Sequence, residues 1–432
     1  MQDQSVPRRR FLIQTTAGAA LAVASIAGAD EMPISRAVTA EGELESVETE
    51  TDVLVVGGGT AGVIAAIQAA RAGARTTLLE QSSLLGGTTT VGGVPFPGLF
   101  HAWGEQIIAG IGWELVRQTV ELDGGRLPDF TTPPSRHWEH QVLVNPYLYA
   151  ILAEEACREA GVRICYYESP SSVQQQGENW QVNVTGPGLN RLVTCRQLID
   201  CTGGADIVGM LGFERLRENE TQPGSMLFKM SGSSFSPGRE RLDAVYVHGA
   251  DSSNSATRTQ ANLTGRRAIL EQLRAKREQG DSEARLVQLQ SETAFRESYR
   301  ILGEVVISHE DYTSGRMFED AICNAFYPVD LHTRTGVRPV QLEPGTVPKI
   351  PLRALIPHGS RNILVAGRSV SSDRLANSGL RVQATCMAMG QAAGAAAALA
   401  VQNGDSPGNV AIEELRSLLR THGAVVPSPD EA

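Results

Sequence analysis

The chain has 432 residues, more than the roughly 100–200 of an ordinary single domain, so more than one structural unit is expected. Apolar residues make up 41% and charged residues 20%, a globular balance that excludes a disordered or collagen-like chain. Acidic side chains outnumber basic ones 48 to 38, for a net charge of -10, which disfavours a nucleic-acid partner, since that needs clustered Lys and Arg. The six cysteines form no C-x-x-C pair, so no zinc ribbon, redox dithiol or iron–sulfur cluster is expected, and no metal site.

Residues 1–29 read as an export signal. Arg8-Arg9-Arg10-Phe11-Leu12 precedes a short Ala/Gly-rich apolar stretch that ends at Ala27-Gly28-Ala29, a small-residue cleavage pattern. Paired arginines followed by x-Phe-Leu resemble the twin-arginine signal, which exports folded proteins to the periplasm or beyond. An ordinary Sec signal or an uncleaved anchor is the alternative. Residues 30–50 are polar and acidic and read as a linker. Beyond the signal no stretch approaches the ~20 continuous apolar residues of a membrane span.

The first strand is expected at Asp52–Val56, and Gly57-Gly58-Gly59-Thr60-Ala61-Gly62 follows at once. An Ala-rich helix runs from there to Arg71, Gly73 ends it, and a second strand at Arg75–Leu79 leads to Glu80. This is the G-x-G-x-x-G dinucleotide fingerprint in its strand–helix–strand setting, with an acidic residue eighteen positions after the third glycine. Gly57 permits the tight turn, Gly59 lets backbone amides approach a pyrophosphate, and Gly62 lets the helix pack closely. The helix N-terminus presents free N–H groups to the phosphates. Glu80, beside Gln81, is placed to accept from ribose hydroxyls.

Three later features separate FAD from NAD. Leu85 to Gly93 supplies a second run of bare backbone and hydroxyls in Gly86, Gly87, Thr88 and Thr89. A β-meander is expected from strands at Ser172–Gln176, Trp180–Thr185 and Arg191–Gln197. It feeds a buried strand ending Asp200-Cys201-Thr202-Gly203-Gly204-Ala205-Asp206. Finally Asn362 to Arg368, with Gly367, precedes a small-residue helix expected over Gly379–Leu399 and containing Gln383. Its N-terminus would favour negative charge on a reduced flavin.

With these motifs the chain resembles FAD-dependent oxidoreductases of the glutathione-reductase-like superfamily, related to fumarate-reductase flavoproteins; some members carry the label xanthan lyase. Phe295–Gly303, Tyr327–His332, Ile350–Pro357 and Leu380–Gly394 also match, so the resemblance covers most of Thr51 to Val401. It implies FAD as cofactor and an α/β fold. A Rossmann-like FAD-binding domain with a β-meander insertion would occupy 51–210 and 349–402. A mixed α+β substrate or cap domain would occupy 211–348, and 403–432 would form a C-terminal helix and tail. The resemblance implies little about substrate, since one fold hosts many chemistries. Leu375-Ala376-Asn377-Ser378-Gly379 stands where a fumarate reductase would carry His-Gly-Ala-Asn-Arg, so dicarboxylate reduction is not expected. A second fingerprint for NAD(P)H is absent as well.

A flavoprotein must position its substrate and remove a proton. His332, near Asp330 and Arg334, is the candidate base. Arg296 and Arg300, four apart on an expected helix, could clamp a carboxylate or sulfate, or be tied up structurally. Arg381 could stabilise reduced flavin. His101 and Trp103 could wall the pocket, with His101 the first place to look for a covalent flavin link. Residues 257–299 read as helical. A bridge between Cys157 and Cys165 stays open. The leading reading is an exported enzyme passing a hydride between a small molecule and flavin, with electrons going to a separate acceptor. A non-catalytic flavin-binding protein and a polysaccharide lyase are the alternatives.

Overall fold

The computed structural model describes residues 46–132, 134, 137–232, 241–337 and 339–428. The expected signal peptide and most of the expected linker lie outside the described residues. The linker's last residues do not behave as one. Ser46 to Glu50 open strand β1 (Ser46–Val56) because they pair in parallel with the residues from Asn190 to Thr194.

Helix α1 (Thr60–Arg71) follows β1, and Gly73 (φ 90°) turns the chain into β2 (Thr76–Glu80). Helices α2 (Ile111–Leu122) and α3 (Pro146–Glu159) come next. The Asn145 side chain starts α3 by accepting from the Tyr147 and Leu148 amides, with Pro146 in the first turn. Strand β3 (Arg163–Tyr166) leads to a meander of β4 (Ser169–Gln176), β5 (Asn179–Gly186) and β6 (Leu189–Asp200).

Strand β6 pairs with β1 along one edge and takes two successive partners along the other. Its first half pairs antiparallel with β5, and its second half, Leu198 to Asp200, pairs in parallel with a strand from much later in the chain. The central layer is thus parallel, in the order β3, β2, β1, β6 and that late strand, and the meander hangs from one edge. Val53 to Val56 and Thr76 to Glu80 are buried, as expected for strands covered on both faces.

A short helix, α4 (Asp206–Met210), ends this half. The cap is a three-stranded antiparallel sheet, β8 (Arg241–Val247), β7 (Gly224–Ser231) and β9 (Arg285–Leu289), covered by α5 (Ser255–Glu278). Met226, Phe228, Val245, Ala261 and Ile269 give it a hydrophobic cluster of its own. The helix expected over 257–299 stops at Glu278, just before Gly280 adopts φ 92°. Beyond it, Arg285 to Leu289 are taken into the sheet, and the chain returns without regular structure.

The last segments close the cofactor layer: β10 (Ile363–Val365), α6 (Arg374–Leu380), α7 (Gln383–Asn403) and α8 (Ile412–Thr421). The single helix expected over Gly379–Leu399 is therefore broken. Asp373 caps α6 by accepting from the Ala376 amide, and extended Val382 (φ -67°, ψ 142°) restarts the chain as α7. By length and composition α7 could cross a membrane, but it lies buried inside the protein. Its neighbour there is α1. A Cβ on Gly390 would stand 2.2 Å from the Ala61 carbonyl oxygen, and one on Gly394 2.3 Å from that of Ala65. All six cysteines are free and buried, so the Cys157–Cys165 bridge does not form.

Candidate functional site

One cavity of about 740 Å³ runs between the cofactor layer and the cap, within the usual range for ligand sites of about 300–1,000 Å³. At one end lie the fingerprint turn and the end of β2. Gly57, Gly59, Thr60, Ala61, Glu80, Gln81, Gly87 and Thr88 all line it. The three fingerprint glycines do different work. Gly57 has φ 98°, and a Cβ there would sit 2.6 Å from the Cys201 carbonyl oxygen. Gly59 would meet nothing within 4 Å, so its backbone faces open space. Gly62 does not line the cavity; a Cβ there would strike the Gly57 carbonyl, which makes it a packing residue of the turn. Glu80 accepts from the Gly58 amide at 2.8 Å and the Ser82 amide at 2.7 Å. A carboxylate has about four acceptor sites, so two remain for ribose hydroxyls.

The second glycine run packs against the first. Gly86 donates its amide to the Gly58 carbonyl at 2.8 Å and accepts from Thr60 Oγ1 at 3.2 Å, from behind the cavity wall. Thr89 is fully buried and off the wall; its hydroxyl donates to Gln383 Oε1, and Gln383 Nε2 donates to the Val94 carbonyl. Gln383 thus lines the cavity while its side chain fastens the loop to α7.

Thr202, Gly203, Asp206, Gly367 and Arg368 line the middle. Buried Asp200 organises this stretch. It accepts from the Thr202 amide and hydroxyl and from the Ile207 and Val208 amides, and burial raises its pKa to about 6. Arg368 spends its guanidinium on three neutral oxygens, those of Gly203, Phe295 and Ser252. Burial, then the charge of Arg258, lowers it to about 10.

The far end is built by the cap. His332, Asp330, Tyr327, Arg296, Tyr246, Gln141 and Arg381 line it. His332 Nε2 lies 3.1 Å from Asp330 Oδ2. Burial alone would raise Asp330, but the His332 hydrogen bond and the Arg381 charge outweigh it and hold the carboxyl below the usual range. Burial lowers His332 below its ordinary 6.5, and Arg296 adds to this against the pull of Asp330. The pair at neutral pH is therefore a carboxylate and a neutral imidazole. A carboxylate accepts only, so the imidazole proton sits on Nε2 and Nδ1 carries the lone pair. Gln222 ties this pair to the cap: its Oε1 accepts from the His332 amide at 3.0 Å and from Arg381 Nη2 at 3.3 Å. Glu297 in turn accepts from the Gln222 amide and side chain and from Arg374.

Several expected residues lie elsewhere. Phe295 to Arg300 is not helical, so Arg296 and Arg300 share no face. Arg300 pairs with Leu216 in a short strand contact, donates to the Ser372 carbonyl at 3.0 Å and pairs with Glu218 at 2.9 Å, away from the cavity. His101 is also off the cavity, stacked on Phe130 with ring centroids 3.7 Å apart, and burial lowers its pKa to about 4. Trp103 is exposed and donates to the Thr346 carbonyl. Sequence reasoning missed Tyr246, Gln141 and Arg258 as cavity residues, and no motif marks any of them.

The residues present fit an FAD. The Gly59 backbone opens onto the cavity, and Arg381, on its wall, has a buried Nε with no partner among the described residues. Gly57 to Ala61 would hold the pyrophosphate, Glu80 the ribose, and the start of α7 with Arg381 the flavin.

Comparison with known proteins agrees. The family described as FAD dependent oxidoreductase matches residues 52–254 and 228–419. Leghemoglobin reductase of Glycine max is 48% identical over 54 residues, covering 12% of this chain and 10% of that protein. Pseudooxynicotine dehydrogenase of a Pseudomonas species is 40% identical over 95 residues, covering 21% and 18%. The chain thus matches only a small part of these relatives' lengths. Among solved structures, the OxyS anhydrotetracycline hydroxylase of Streptomyces rimosus aligns over 87% of this chain and 66% of its own, at 15% identity and a TM-score of 0.46. With the family matched along nearly the whole described chain, and with a cavity that fits the cofactor, this protein belongs to the FAD-dependent oxidoreductase family.

Proposed function

We propose that the protein oxidises a small organic molecule that carries a removable proton, such as an alcohol or an amine. The observation that carries this reading is the Asp330–His332 pair in the wall of the same cavity as the glycine fingerprint. When bound, FAD supplies the two-electron acceptor. His332 Nδ1 takes the substrate proton, and Asp330 holds the ring in the matching tautomer and steadies the imidazolium that results. Arg381 adds positive charge just before α7, where it would favour negative charge on a bound flavin. The lack of a second dinucleotide fingerprint supports delivery of the electrons to a separate acceptor.

In the division of the chain that we propose, 51–210 with 349–402 holds the cofactor and 211–348 presents the substrate. The test is anaerobic addition of candidate donors to the flavin-loaded protein, read as bleaching of the flavin bands. Flavin that stays oxidised under every donor sinks the reading. We also propose twin-arginine export to the periplasm or beyond, on the strength of Arg8-Arg9-Arg10-Phe11-Leu12. Replacing both Arg8 and Arg9 with Lys should retain the protein in the cytoplasm, and unchanged fractionation argues against it.

A further inference from the structure

We infer that the substrate carries a carboxylate and that Arg296 receives it. This rests on the oxidation reading for the identity of the site, but not for the evidence of binding. The argument begins with charge. Around the far end of the cavity the arginines are matched one by one: Arg374 has Glu297, Arg217 has Asp251, and Arg381 has Asp330 at 3.8 Å. Arg296 has no ion pair among the described residues. Its hydrogen bond is to a neutral acceptor, the Pro223 carbonyl, at 2.5 Å.

Arg296 is also sunk in the wall, and its surroundings do not favour its charge. Burial, then the neighbouring Arg381, lowers its pKa to about 10. A guanidinium still keeps its proton at neutral pH. A desolvated cation beside a second cation calls for an anion, and the carboxylate that acts on it among the described residues is Asp330, which His332 and Arg381 already share.

The cofactor's phosphates would not answer this need. They would sit at the fingerprint turn, at the opposite end of the cavity, and the cations of its middle stretch are Arg368 and Arg258, whose charges act on Asp206. The groups that act on Arg296 are Arg381, Tyr246, Asp330 and Tyr327, all of the cap end. The planar fork of Arg296 lies over the Tyr246 ring at 5.5 Å, which holds it flat. A planar fork matches a planar carboxylate better than a tetrahedral anion. Tyr246 also faces His332, with ring centroids 6.0 Å apart. A carboxylate seated on Arg296 therefore puts the adjoining carbon of a small acid within reach of the base.

The test uses the oxidised, flavin-loaded protein and reads binding, not turnover. Glycolate and benzoate are titrated against their neutral amides, glycolamide and benzamide, and against inorganic sulfate, following perturbation of the flavin spectrum. The carboxylates are expected to perturb it and the amides not to. Arg296→Gln should weaken carboxylate binding roughly tenfold or more, and Arg296→Lys should recover part of it. Flavin content and melting temperature show that each variant is folded. Amides or sulfate that bind as well as the carboxylates overturn the inference. So does an Arg296→Gln protein with unchanged carboxylate affinity, or a spectrum that no carboxylate moves. Carboxylate binding without reduction by any donor would sink the oxidation reading and leave this one standing.

Discussion

The two ends of the cavity are built from different materials. The cofactor end is backbone: Gly57, Gly59 and Gly87 line it, and Gly86 braces the turn from behind. The cap end is side chain: Gln141, Tyr246, Arg296, Tyr327 and His332 come from segments far apart in sequence. A backbone site depends on local conformation, so a substitution there removes the cofactor itself. A side-chain site depends on long-range folding, so a substitution there leaves the cofactor and changes the chemistry.

The largest effect that would break this contrast is at Gly57. Alanine there forces a Cβ against the Cys201 carbonyl in a backbone conformation that L residues rarely adopt. FAD content should fall roughly tenfold or more, measured as flavin per protein after purification. A Gly57→Ala protein that keeps its yellow colour would show that the turn is not decisive.

His332→Gln should come next, lowering kcat/KM by about 10²–10⁴-fold while flavin content stays normal. Its pH profile sharpens the point. The base works as neutral imidazole, so activity is lost as pH falls through the folded-state pKa. That pKa is depressed below the ordinary 6.5, so the acid limb should lie below it. A limb above 6.5, or none, argues against His332 as base.

Asp330→Asn should cost less, roughly tenfold in kcat/KM, and its signature is directional. Asp330 pulls the His332 pKa upward, so its neutralisation should move the acid limb to still lower pH. The smallest kinetic effect belongs to Arg300→Met. It removes contacts to the Ser372 carbonyl and to Glu218, so stability should drop by ~1–2 kcal/mol with kcat/KM nearly unchanged. A kinetic loss as large as that of His332→Gln would return Arg300 to the site.

The same contrast explains what could be read in advance. The strand–glycine–helix unit, the meander and Glu80 are local patterns, and spacing alone located them. His332, Arg296 and Arg381 could be named from their chemistry and the family resemblance, and all three lie in the cavity wall. Arg300 was misjudged because a spacing of four means one face only on a helix, and Phe295 to Arg300 runs irregularly. His101 and Trp103 follow the second glycine run in sequence, but the chain carries them to Phe130 and Thr346. Tyr246 and Gln141 had no local signal, because each joins the wall only through the packing of distant elements.

The contact between α1 and α7 sets a timetable for biosynthesis. Ala61 and Ala65 leave the ribosome well before their partners Gly390 and Gly394. The flavin cradle needs both, so a nascent chain stops short of holding its cofactor until α7 has emerged. Loading then waits for α7, and a polypeptide arrested at Val382 should leave added flavin free in solution, as its unshifted fluorescence would report.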